Sequence, residues 1–86
     1  MDSALFEFST AIALSKDFFA PYLERGMLLL KQNQAEKAMA DLNKAIQLNP
    51  NVAVAYFYRS ACYLDLGDKA NADTDMQRAK DMGYGR

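Results

Sequence analysis

Slid against itself by 34 places, the 86-residue sequence falls into register. Tyr22 lands on Tyr56, Arg25 on Arg59, Gly26 on Ser60 and Leu29 on Tyr63; further along, Ala38 lands on Ala72, Asp41 on Asp75, Leu42 on Met76 and Ala45 on Ala79. The same step backwards carries Ala38 onto Ala4, Asp41 onto Glu7, Leu42 onto Phe8, Ala45 onto Ala11 and Ile46 onto Ile12. Self-similarity at a period of this size belongs to stacked repeats, in which one small unit cannot bury its apolar face alone and does so against its neighbours.

The unit is helical. Ala4, Leu5, Phe8, Ala11 and Ile12 recur at spacings of three and four, which predicts a helix beginning near Asp2 or Ser3. A second helix is predicted from Phe18 to Leu30, with Pro21 in its first turn, where the missing N–H costs little. The polar cluster Gln32-Asn33-Gln34 breaks it. Ala35, Ala38, Met39, Leu42, Ala45, Ile46 and Leu48 predict a third helix, stopped at Asn49-Pro50-Asn51 because the residue before a proline is pushed away from helical angles. A fourth covers about Val52 to Leu66 and ends at Gly67. Asp68 is placed as N-cap of a fifth, which runs to about Met82 before Gly83 and Gly85 release the chain. Alternation of the kind a strand needs is not seen. About five helices with short connections describe an all-α fold of antiparallel helix hairpins, stacked as a solenoid.

Small residues recur where two helices must cross. Gly26 or Ser60 on one helix faces Ala38 or Ala72 on the next, because helix axes approach within roughly 8 to 10 Å at such a crossing. Ala45 and Ala79 serve the contact one turn further on. Tyr22, Leu29 and Leu42 with their counterparts fill the space around these crossings, so Phe8, Leu42 and Met76 are read as core and not as site residues. Glu7, Arg25, Asp41, Arg59 and Asp75 alternate in sign through the same register. They predict a ladder of ion pairs, each arginine reaching an acid on its own repeat or the preceding one.

These residues resemble the tetratricopeptide repeat pattern of a large aromatic, a small residue four places on, an aromatic or aliphatic three beyond it, spaced alanines and a closing proline. The middle repeat reads Tyr22, Gly26, Leu29, Ala38, Leu42, Ala45 and Pro50, and the last reads Tyr56, Ser60, Tyr63, Ala72, Met76 and Ala79. Tyrosine stands for the usual tryptophan, serine for one glycine, and Tyr84 where a closing proline would fall. The resemblance covers essentially the whole chain. It implies a right-handed superhelix and one domain over 1–86: the second helix of a first repeat at 1–16, a full repeat at 19–52 and a full terminal repeat at 53–86.

The two ends of this array differ. Nothing precedes Met1 to form the first helix of the first repeat, so the stripe of Ala4, Phe8 and Ala11 is expected to lie bare. At the other end Leu5 and Met39 are followed in register by Asp73, and Ile12 and Ile46 by Lys80. Polar residues thus stand where a following repeat would dock, as repeat arrays require of a terminal face. The carboxyl end therefore reads as the natural end of the array and the amino end as a cut face. Either upstream repeats are missing, or the Ala4, Phe8 and Ala11 face is covered by another copy in a symmetric dimer.

Composition removes most chemistry. Histidine is absent, and with it the commonest general base at neutral pH; Cys62, the only cysteine, has no imidazole to activate it and reads as a small core residue. Gly26, Gly67, Gly83 and Gly85 are scattered and form no phosphate-cradling loop. Zinc lacks ligands, and Asp65, Asp68, Asp73 and Asp75 do not follow a calcium-loop spacing. No enzyme, metal or cofactor is expected. A formal charge of -1 lacks the basic surface that nucleic acid requires. The amino-terminal stretch carries Asp2 and Glu7 and does not read as a secretory signal, and no apolar run approaches the roughly 20 residues of a membrane span. The expectation is a soluble, cytoplasmic protein without membrane insertion.

The resemblance also implies a working surface, because the first helix of each hairpin lines the concave side of such a stack. The inward positions are Ala20, Leu23, Glu24, Met27, Leu30 and Lys31, then Val54, Phe57, Tyr58, Ala61, Leu64 and Asp65. Repeats of this family that hold acidic chaperone tails clamp them with lysine, arginine and asparagine on this wall. Here only Lys31 is of that kind, so a carboxylate clamp is not expected. The surface instead suits an apolar or amphipathic peptide, with Phe57, Tyr58 and Met27 as anchors and Glu24, Lys31 and Asp65 setting orientation. Spacer duty or self-assembly through the amino-terminal helix is the alternative.

Overall fold

The computed structural model describes residues 18–85; the predicted first helix, with Ala4, Phe8 and Ala11, lies outside them. Four α-helices make up the described residues: α1 (Phe19–Lys31), α2 (Ala35–Leu48), α3 (Ala53–Asp65) and α4 (Lys69–Asp81). Each lies within a residue or two of the bounds that periodicity and breakers predict. α1 packs on α2 and α3 on α4 as two hairpins; α3 also touches both helices of the first hairpin, whereas among the described helices α4 meets only α3. That order of neighbours is a stack of hairpins, with no strand among the described residues.

The helix ends follow the repeat. After α1 the N–H of Gln34 donates to the Leu29 carbonyl at 2.9 Å, with Asn33 in the left-handed region (φ 62°). Thirty-four places on, Asp68 donates to the Tyr63 carbonyl at 2.8 Å around Gly67. Both turns satisfy carbonyls that a helix end leaves open. Asp68 then caps α4, its side chain accepting the N–H of Asn71 at 3.2 Å. At the junction between hairpins the Asn51 N–H donates to Asn49 Oδ1, and the Tyr56 hydroxyl donates to the Pro50 carbonyl at 2.9 Å. The aromatic that opens the second repeat is therefore tied to the proline that closes the first.

The core is built of small residues at the crossings. Ala38, Ala45, Ala55, Ala72 and Ala79 are buried, and Leu42, Cys62 and Ser60 are the largest side chains fully shielded from solvent. The contact expected between Gly26 and Ala38 is present. A Cβ on Gly26 would stand 2.9 Å from Leu42 Cγ, 3.0 Å from Leu42 Cδ2 and 3.3 Å from the Ala38 carbonyl oxygen. Ser60, its counterpart, uses that same carbonyl position: its hydroxyl donates to the Ala72 oxygen at 2.8 Å. A buried hydroxyl costs stability unless bonded, and here it is bonded.

The predicted ion pairs form within each repeat. Arg25 grips Asp41 with Nε to Oδ2 at 2.6 Å and Nη2 to Oδ1 at 2.7 Å, and Arg59 grips Asp75 in the same two-pronged way at 2.7 and 2.9 Å. Both aspartates are buried. These hydrogen bonds raise the guanidinium groups further above their ordinary value, outweighing the desolvation that opposes them. Arg59 reaches the preceding repeat as well, but through Asn43 Oδ1 at 3.1 Å and not through an acid. Its guanidinium also lies over the rings of Tyr56 and Tyr63, at 5.6 and 5.9 Å from their centroids. Glu7 lies outside the described residues. Every buried side-chain nitrogen and oxygen among the described residues has a partner.

The outward side of α4 is polar. Asp73 and Lys80 stand in solvent, while Met39 and Ile46, in register with them on α2, pack against the core.

Candidate functional site

α1 and α3 touch one another directly, and the positions expected to face inward all lie on these two helices. The face is not uniform. Leu23 is buried in a cluster with Ala55 and Cys62 of α3, and Met27, Leu30, Val54 and Tyr58 are half-buried against that cluster. Ala20, Phe57 and Ala61 are half-buried as well. Glu24, Lys31 and Asp65 are exposed, and Leu64 keeps 55% of its surface exposed. Nearly every apolar side chain here is therefore partly packed against the core and partly exposed.

Phe57 is the centre of an aromatic group. Its ring meets Tyr58 edge-on at 5.3 Å and stacks on Tyr84 at 4.6 Å with 22° between planes. The first contact follows from adjacent positions on a helix. The second comes from beyond α4, and register alone does not place Tyr84 on this face. Leu66, 45% exposed at the end of α3, extends the apolar edge beyond Leu64 and Asp65. Between Asn33–Lys37 and Asp65–Leu66 lies an open depression of about 520 Å³. Of the positions expected to face inward it takes in only Asp65.

Cys62 sits in the core. It is fully buried, and burial, with a smaller contribution from Asp65, pushes its thiol up to about 11. Native Cys62 should react with Ellman's reagent at pH 8 at least roughly a hundredfold more slowly than in the urea-unfolded chain, since only the thiolate attacks and burial leaves almost none of it at that pH. A native rate within tenfold of the unfolded one would contradict the burial. Among the described residues no three of His, Cys, Asp and Glu gather as metal ligands must. Nor is any described helix long and apolar enough to cross a membrane.

The sequence that builds this hairpin stack matches known proteins. The model of the tetratricopeptide repeat family matches residues 20–52. Human tetratricopeptide repeat protein 13 is 34% identical over 79 residues, covering 92% of this chain. This chain is a tetratricopeptide repeat protein. Two other relatives are the wheat (Triticum aestivum) Hsp70-Hsp90 organizing protein, 35% identical over 71 residues and 83% of this chain, and mouse DnaJ homolog subfamily C member 3, 43% identical over 49 residues and 57% of it. The chain spans only 9% of the human relative, 10% of the mouse one and 12% of the wheat one. The tetratricopeptide match falls on the middle repeat, where glycine and proline keep the family's residues.

Proposed function

We propose that this tetratricopeptide repeat chain is a protein-interaction scaffold without catalysis, and that the face shared by α1 and α3 binds an apolar or amphipathic peptide. One contrast supports it. The inward face of α1 and α3 leaves apolar side chains half-buried or more exposed, whereas the outward face of α4 exposes polar ones such as Asp73, Gln77 and Lys80. Apolar surface held in place by a core is the kind that gains most when a partner removes it from water. The groove set is Leu23, Glu24, Met27, Lys31, Val54, Phe57, Tyr58, Ala61 and Asp65. Of these, Leu23 serves chiefly as the floor.

The wheat relative's name couples it to Hsp70 and Hsp90. Capture of an acidic chaperone tail is not carried over to this chain, because Lys31 is the sole cation at the inward positions. Phe57 and Tyr58 supply the aromatic area in which binding energy concentrates. Phe57→Ala with Tyr58→Ala should weaken a captured peptide, titrated in purified form, by about 30-fold or more, since a hot spot contributes at least about 2 kcal/mol. Helical circular dichroism should be unchanged. Unchanged affinity would remove the groove; unchanged affinity with an altered sedimentation coefficient would favour the assembly reading.

A further inference from the structure

The two hairpins end differently. In the first, Asn49 is extended (φ -148°, ψ 96°) and passes the chain on to α3. In the second, Gly83 in the same register takes φ +100°, a left-handed angle that L side chains rarely adopt. The Gly83 N–H donates to the Lys80 carbonyl and the Tyr84 N–H to the Ala79 carbonyl, both at 2.9 Å, so the chain turns back on itself. Tyr84 is thereby carried onto Phe57.

Phe57 is in register with Leu23, and Leu23 is buried with residues of the next hairpin's first helix. Leu23 is buried, whereas Phe57 is half-buried and Tyr84 stacks on its ring. Tyr84 as a whole is 36% exposed. Its neighbours Gly83 and Gly85 both have positive φ, and nothing lies within 4 Å of where a Cβ on either would stand. Residues 83–85 form a short strap that carries the ring between two glycines, each with open space where a side chain would stand.

We propose that Phe57 offers an aromatic-accepting subsite at the edge of the groove, that Tyr84 is its built-in occupant, and that an aromatic side chain of a bound peptide displaces it. The stacked pair shows the chemistry the subsite takes: a flat ring, offset or nearly parallel, entering from the side where the strap lies. The nature of the natural ligand rests on the peptide-groove reading; the subsite itself does not.

The probe is p-cresol, the tyrosine side chain without its backbone, titrated into the whole 86-residue chain and followed by amide 1H–15N shifts. In Tyr84→Gly the shifts should be saturable and centred on Phe57 and Tyr58. Their apparent affinity should exceed that of the unaltered chain by roughly two- to tenfold, the range an aromatic pair contributes. Gly83→Val keeps the ring but opposes the turn that delivers it, and should give the same gain. Phe57→Ala in the Tyr84→Gly background should abolish the saturable shifts. Equal affinity with and without Tyr84, or no shift at Phe57 once Tyr84 is removed, overturns the proposal. Because no peptide enters this titration, the subsite and the groove can fail separately.

Discussion

Leu42→Ala should cost about 2 to 5 kcal/mol, and in that background Gly26→Ala should turn from harmful to helpful. Leu42 is fully buried, and its truncation leaves a void that the surrounding alanines are too short to fill. The loss should lower the melting temperature by roughly 4 to 8 °C for each kcal/mol, as expected for a domain of this size. Gly26 lies inside α1, where alanine is intrinsically the better helix former by about 1 kcal/mol. The added Cβ, however, would sit 2.9 Å from Leu42 Cγ and 3.3 Å from the Ala38 carbonyl oxygen. Neither can give way easily, since one is enclosed and the other is helix backbone, so Gly26→Ala alone should destabilise through overpacking. With Leu42 shortened, the same Cβ enters the vacated space and the helix preference is recovered. The second repeat supports this coupling. It carries Ser60, with a Cβ, opposite Met76, an unbranched and only half-buried side chain. A Gly26→Ala effect of the same sign in both backgrounds, read from urea unfolding, would show that the crossing is not what keeps this residue small.

That crossing was legible because it is written twice. A contact that recurs every 34 places imposes size at fixed positions, so Gly26, Ala38, Ser60 and Ala72 could be paired from spacing alone. Helix bounds were legible for a related reason, since Pro50, Gly67 and Asp68 each act within a turn of where they stand. What departs from the repeat was not legible. Asn43 as a partner of Arg59 breaks no pattern, because an exposed asparagine on a helix carries no signal of what lies opposite. The hydroxyl of Ser60 is invisible as a donor until the Ala72 carbonyl is placed 2.8 Å away. Tyr84 is the clearest case. It stands in register with Pro50, and only the hand of the backbone at Gly83 decides whether the chain leads on or folds back over Phe57. The inward set of α1 and α3 could be read from the register, but not how deeply each member is sunk. Leu23 and Phe57 share a register position yet differ in burial, and the spacing carries no sign of that difference.

Arg59→Leu should cost about 3 kcal/mol and Asp75→Leu somewhat less, whereas the double change should cost about 1 kcal/mol or less. The Asp75 side chain is 7% exposed and takes both of its guanidinium bonds from Arg59. Losing the cation strands a carboxylate in a site with little water, which for a buried pair costs about 3 to 5 kcal/mol; the 21% exposure of Arg59 places this pair at the low end. Removing Asp75 strands the guanidinium less severely, because Asn43 and the rings of Tyr56 and Tyr63 still meet it. Leucine at both positions removes both desolvation penalties together, and similar volume is retained between α3 and α4. Arg59→Lys should not restore the wild-type value, since one ammonium point charge cannot replace a planar fork that holds both carboxylate oxygens. Solvent-exposed pairs behave otherwise, contributing about 0.2 to 1 kcal/mol with nearly additive losses. Lys69 with Asp73, at 3.3 Å and largely in water, provides that comparison within the same helix pair. If the Arg59 and Asp75 changes added as simply as those at Lys69 and Asp73, the repeat would be held by its apolar crossings alone. The recurring arginine and aspartate would then have no structural reason to face each other.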